Sequence, residues 1–193
     1  NLTELWFHRA DFDDLAPLAD FKQIEELLFF GMNLGTLDPL MDMPMLKNLY
    51  LDACAINDLW AVTKLTQLQK LKISNTGFYQ TEILAPLTQL KYLNLSVSTV
   101  TDISPLAGLT QLEELYLGET KISDINILAN MPHLRSLNIA LTPIADIRIL
   151  AKLDNLEELI LDGSDVTDLS PLANHQKLNL LSIKDIDITN RAP

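Results

Sequence analysis

The chain has 193 residues, of which 48% are hydrophobic, and 26 acidic side chains against 14 basic ones give it a formal charge of −12. The apolar content and a count of only six glycines exclude a disordered or low-complexity chain. The acidic balance argues against nucleic acid, where Lys and Arg must replace condensed counterions, and against an anionic membrane surface.

No apolar run approaches the roughly 18 residues that span a bilayer, so membrane insertion is not expected. The opening NLTELWFHRADF has no basic region followed by an apolar stretch, so it does not read as a signal peptide. The one cysteine, Cys54, permits no internal disulfide.

A pattern opening at Leu2 restarts at Ile24, Leu46, Leu68, Leu90, Leu112, Leu134, Leu156 and Leu178, each 22 residues after the last, with no insertion or deletion. It is cleanest from Leu90 to Gln111, where Leu90, Leu93 and Leu95 are followed by Val100, Ile103, Leu106 and Leu109. A fixed period with an LxxLxL core is the signature of a leucine-rich repeat. Eight complete units and a partial ninth read as a single domain over residues 1–193, since the phase never changes and leaves no place for a linker.

Within each unit the first, fourth and sixth positions are apolar, as in Leu115-Tyr116-Leu117, which predicts a strand with one buried face. Strands joined by one such crossover run parallel, and the crossover is right-handed. The expected fold is α/β: a right-handed solenoid with a curved parallel sheet on its concave face and short 3₁₀ or α turns on its convex face.

The ninth position holds Ala10, Met32, Cys54, Thr76, Ser98, Thr120, Thr142 and Ser164, side chains that are mostly small or hydroxylated where the chain turns inward. Hydroxyls there are expected to satisfy turn backbone groups, and Cys54 to be a small buried filler with an inert thiol. The back of the unit reads Asp-Ile-x-Pro-Leu-Ala or close to it, with Asp14, Asp58, Asp102, Asp124, Asp146 and Asp168 in one column. These carboxylates are expected on turn amides rather than on metal, because each unit offers only one and calcium takes six to eight oxygens. The Ser-Pro pairs at 104–105 and 170–171 suggest a capping hydroxyl followed by proline in the first helical turn.

The fourth unit departs most: Gln80 replaces the aspartate, Thr81 takes an apolar position, and Gly77 and Pro86 are unusual in their columns. Its back-side path is expected to be irregular. At the ends, Leu2, Leu5 and Phe7 read as open to water with no polar cap, and His175 and Ile186 break the pattern.

The phrases TDISPLAGLTQL at 101–112, SDINILANMPHL at 123–134 and TDLSPLANHQKL at 167–178 closely resemble the 22-residue repeats of the bacterial internalin-like class. The resemblance covers essentially the whole chain. It implies a protein-recognition module of bacterial origin, of a class often found on a surface or secreted. The ninth column departs from the family, which usually carries Asn there.

Catalysis needs a nucleophile, a base and an orienting group in reach of one another. His8, His133 and His175 fall in the first, sixth and eighth units, Cys54 points inward, and there is no HExxH, CxxC or phosphate-cradling glycine loop. The expectation is therefore no enzyme and no cofactor. The leading reading is a protein–protein interaction module with a concave recognition surface. The alternative is the targeting arm of a larger enzyme or secreted effector, and a third reading is a structural spacer that self-assembles through its ends.

The outward columns locate the candidate surface. Trp6, Leu28 and Tyr50 share the fifth position on three adjacent strands, Phe30 lies two residues on in the second, and Tyr92 and Tyr116 extend the surface. Exposed aromatic and aliphatic patches of this kind usually mark a protein interface. A second group, Glu158, Asp162, Asp165, Asp185 and Asp187, gives the far end an acidic character that reads first as a solvated surface. Tyr116→Asp is expected to leave stability almost unchanged, in contrast to Asp at Leu115 or Leu117.

Overall fold

A computed structural model describes residues 2–189. Its strands are β1 (Glu4–His8), β2 (Glu26–Phe30), β3 (Asn33–Thr36), β4 (Asn48–Asp52), β5 (Ala55–Asp58), β6 (Lys70–Ser74), β7 (Tyr92–Asn94), β8 (Glu114–Tyr116), β9 (Ser136–Asn138), β10 (Glu158–Ile160) and β11 (Leu180–Ser182). Nine of them form one sheet in the order β1-β2-β4-β6-β7-β8-β9-β10-β11. All pair in parallel, and each residue stands beside the one 22 positions on, as in Leu5↔Leu27 and Leu93↔Leu115. The repeat period is thus the register of the sheet, and this is the solenoid that the repeat predicts.

The alternation along each strand sets its two faces. Leu27 and Phe29, Leu49 and Leu51, Leu71 and Ile73 are fully buried, while the residues between them are half-buried or exposed. The core continues unbroken through Leu93, Leu115, Leu137 and Leu159. Each unit buries its apolar side chains against its neighbours, which is why repeats of this size are stable only when stacked.

Two features were not apparent from the pattern. The first is a second, two-stranded parallel ladder of β3 and β5, formed where units two and three stay extended past the inward turn. The second is a column of left-handed residues at the eighth position of every unit. Arg9, Gly31, Ala53, Asn75, Val97, Glu119, Leu141, Gly163 and Asp185 all have φ between 48° and 64°. At Gly163 a Cβ would meet only the exposed Leu141 side chain, which can turn aside, so the positive φ is what favours glycine there.

Left-handed geometry suits Gly and Asn and is least suited to a β-branched residue. Val97, exposed and at φ 55°, is the poorest fit in the column, whereas Asn75 fills the same place one unit earlier at φ 54°. Val97→Asn should therefore raise stability by about 1 kcal/mol. Urea titration checks this, and Asn75→Val should lose a similar amount.

On the opposite side the described residues form eight 3₁₀ helices, from Ala16–Asp20 to Ser170–Leu172, with no α-helical turn. The aspartate column starts them. Oδ1 of Asp14, Asp58, Asp102, Asp124, Asp146 and Asp168 each accepts from the backbone N–H two residues on, at 2.7–3.0 Å. Thr36 does the same through its hydroxyl at 3.2 Å.

The Ser-Pro expectation needs correction. Ser104 and Ser170 are the first helical residues, and their hydroxyls donate to Asp102 and Asp168 instead of capping the backbone. The amide and hydroxyl of Ser104 hold the Asp102 carboxyl below the usual carboxylate range. Arg148 lowers Asp146 to about 2 through side-chain and backbone hydrogen bonds.

The ninth column meets its expectation in part. Thr120 and Thr142 donate to the carbonyls of Leu117 and Ile139 at 2.7 and 2.6 Å. Cys54 is buried, its Sγ lies 3.4 Å from the carbonyls of Phe29 and Asp52, and burial pushes the thiol up. The hydroxyls of Thr76, Ser98 and Ser164 find no partner among the described residues.

The fourth unit is irregular as expected. Its 3₁₀ helix, Thr81–Leu84, begins one position early and lacks a side-chain cap at Gln80. Thr81 is buried where other units place Leu or Ile, and its hydroxyl donates to the carbonyl of Asp102 in the next unit at 2.8 Å.

At the first strand, Leu2 and Phe12 are exposed, but Phe7 is not left open to water. Phe12 closes edge-on over it at 5.2 Å and Phe29 stacks beneath at 5.3 Å. At the other end Leu180, Leu181 and Ile183 are exposed, Ile186 is half-buried, and His175 Nε2 donates to the carbonyl of Leu150 at 2.9 Å.

Candidate functional site

The third, fifth and seventh columns of the nine-stranded sheet point away from the core, so the register decides which side chains meet. In the fifth column the order is Trp6, Leu28, Tyr50, Lys72, Asn94, Tyr116, Asn138, Ile160 and Ser182. Trp6, Leu28 and Tyr50 are direct neighbours, about 4.8 Å apart from strand to strand. Trp6 is 59% exposed, and Leu28, Phe30, Tyr50, Tyr92 and Tyr116 are half-buried.

Phe30 lies in the seventh column, with the His8 ring 5.7 Å away and the Arg9 guanidinium 5.9 Å from its centroid. The structure therefore joins Trp6, Leu28 and Tyr50 in one row and places Phe30 on its flank. Tyr92 and Tyr116 form a separate pair with ring centroids 5.4 Å apart. Lys70 and Lys72 on β6 stand between the two groups, and Lys72 is tied to Asp52 at 2.7 Å.

Attention to apolar residues alone overlooked the carboxylates that organise this face. Glu26 accepts from Trp6 Nε1 at 3.2 Å and from Asn48 Nδ2 at 3.0 Å. Glu114 accepts the Tyr116 hydroxyl at 2.9 Å, and Ser136 donates to Glu158 at 3.2 Å. The signal was present in the third column, where Glu4, Glu26, Glu114 and Glu158 recur.

Burial, followed by the charge of Glu26 and by Tyr92 and Glu114, pushes the Tyr50 hydroxyl up to about 12. Burial also raises Tyr116, with the neighbouring Glu114 acting in the same direction. Both phenols stay protonated at neutral pH, and that of Tyr116 donates to Glu114.

Tyr116 is consequently not the neutral surface position that strand alternation implies. It packs on Tyr92 and holds Glu114, so Tyr116→Asp removes both interactions and puts a second carboxylate beside the first. Of the acidic end group, Asp162 accepts from the Ser182 hydroxyl at 2.7 Å and the Lys184 amide at 2.8 Å, which lowers its carboxyl. Asp165, Asp185 and Asp187 are exposed.

A family model described as leucine-rich repeats in two copies matches residues 88–130. No curated protein matches the chain. Among solved structures, an internalin InlF of Listeria monocytogenes superimposes with a TM-score of 0.87 and 31% identity, covering 96% of this chain and 55% of that one. An internalin C2 of the same organism gives a TM-score of 0.89 and 29% identity, covering 94% of this chain and 80% of that one. A leucine-rich-repeat protein of Leptospira interrogans shares the fold at 17% identity, with a TM-score of 0.77 and coverage of 95% and 55%.

The repeat, the register and these superpositions make the chain a leucine-rich-repeat solenoid similar to the bacterial internalins. It spans about half the length of the InlF chain that it matches. As a class, such solenoids are protein-interaction modules, and no helix of the described residues is long and apolar enough to cross a membrane.

Proposed function

We propose that the chain is a single recognition domain that receives a protein partner on the concave face of its sheet, along the surface from Trp6 to Tyr116. The observation that carries this reading is the placement of Trp6, Leu28, Phe30 and Tyr50 on outward positions of adjacent strands, where a face that met only water would be polar. Trp and Tyr dominate binding energy where a partner desolvates them. The fixed ladder beneath them means little ordering is needed on binding.

The test is to identify proteins retained from extracts by the immobilised chain and then measure the affinity of the strongest for single alanine variants. Trp6→Ala, Phe30→Ala and Tyr50→Ala should each leave the fold intact, and at least one should weaken binding by about 2 kcal/mol or more. Wild-type affinity in all three folded variants would remove this patch as the site.

A second reading makes the same surface the targeting arm of a larger enzyme or effector. Its support is that the chain spans only 55% of the InlF chain. Catalysis would then lie outside these residues, and the same three variants would lower the capture of that enzyme's substrate.

A further inference from the structure

The far half of the concave face differs in chemistry from the half that begins at Trp6. Tyr92, Glu114, Ser136 and Glu158 are register neighbours on β7 to β10. Along this line the Tyr116 hydroxyl donates to Glu114 at 2.9 Å and the Ser136 hydroxyl to Glu158 at 3.2 Å, the two hydroxyl oxygens lying 3.5 Å apart. Beside this line an open depression of about 280 Å³ is bounded by Glu113, Glu114, Glu157, Glu158, Ser136 and Arg135.

Four carboxylates thus surround one guanidinium. Among the described residues, Glu114 and Glu158 have only neutral hydrogen-bond partners, and the one ion pair reaching the depression is Lys91 with Glu113, at 3.5 Å on its rim. An acidic wall adjoining two half-buried tyrosines, their rings tilted 42° to each other, is complementary to a cation carried on an apolar stem. Carboxylates attract the charge, and an aromatic face attracts a cation within about 6 Å of its centroid.

We propose that the concave face from Tyr92 to Glu158 receives a basic segment of the protein partner, with Lys or Arg side chains lying across Tyr92 and Tyr116 and their charges against Glu114 and Glu158. This rests on the concave-face reading and narrows it to one kind of partner. An acidic segment would meet repulsion there, and a second copy of the chain carries the same charge of −12.

Two fluorescein-labelled twelve-residue peptides, one of alternating Lys and Ser and one of alternating Glu and Ser, test it by anisotropy against the intact chain. The lysine peptide should bind, more weakly as salt rises, and the glutamate peptide should not. Glu114→Gln with Glu158→Gln should weaken the lysine peptide at least about tenfold. Asp20→Asn with Asp154→Asn removes the same charge from exposed positions on the 3₁₀ side and should change it by less than about twofold.

Equal losses in the two double variants would show a general field and overturn the proposal. So would an unchanged affinity in the first, or no binding of the lysine peptide. The patch from Trp6 to Tyr50 fails separately, if Trp6→Ala, Phe30→Ala and Tyr50→Ala all retain the natural partner.

Discussion

Leu115→Asp should unfold the centre of the solenoid, with a loss of at least about 4 kcal/mol. Leu115 is fully buried on β8 between Leu93 and Leu137 in the register, so an aspartate there faces apolar side chains from three consecutive units. Removing the leucine opens a cavity, and the carboxyl must stay neutral or draw water into the core. A loss of this size is a large part of the 5–15 kcal/mol that holds a typical domain. Leu117→Asp should behave alike, and Tyr116→Asp should cost less than either because its ring and its hydroxyl bond are only partly buried. Urea titrations of the three variants check the order, and equal losses would contradict the alternation on which the two faces rest.

Phe29→Ala should cost about 3–5 kcal/mol, with the loss concentrated in the first units. Phe29 is fully buried, stacks on Phe7 at 5.3 Å, and stands between Leu28 and Phe30, which both face outward. The void would lie under the proposed patch. Because stability in a repeat array is shared between nearest neighbours, the N-terminal units should open before the remainder. Hydrogen exchange resolved along the chain would show β1 and β2 losing protection at denaturant concentrations where β8 to β10 keep theirs. A uniform loss would mean that the array unfolds as one cooperative unit.

The 22-residue period carried most of the fold on its own, because in a parallel solenoid the repeat length and the strand register are the same quantity. Leu27, Leu49, Leu71 and Leu93 are neighbours for that reason. The left-handed column was hidden because its residues, from Arg9 to Leu141, share a backbone conformation and no side-chain chemistry. The serines before Pro105 and Pro171 misled because Asp102 and Asp168, two residues earlier, start the turn by accepting the serine amides and also take the serine hydroxyls.

At the concave face, strand alternation places Trp6, Leu28 and Tyr50 in a row without any coordinates. Alternation says nothing of what long side chains do once they are there. The bonds from Trp6 to Glu26 and from Tyr116 to Glu114 cross between or along strands and depend on rotamers.

The two tryptophans of the chain lie on opposite sides of it and allow the most direct test of the concave reading. Trp6 is on the outward face of β1, whereas Trp60 begins the 3₁₀ helix Trp60–Lys64, 52% exposed, with Lys64 Nζ 4.7 Å from its ring centroid. Trp60→Phe leaves Trp6 as sole reporter, and Trp6→Phe leaves Trp60. On titration with the captured partner, the emission of Trp6 should shift to the blue as its ring is desolvated, and that of Trp60 should not move. A shift in Trp60 with Trp6 unchanged would place the partner on the 3₁₀ side and contradict the account.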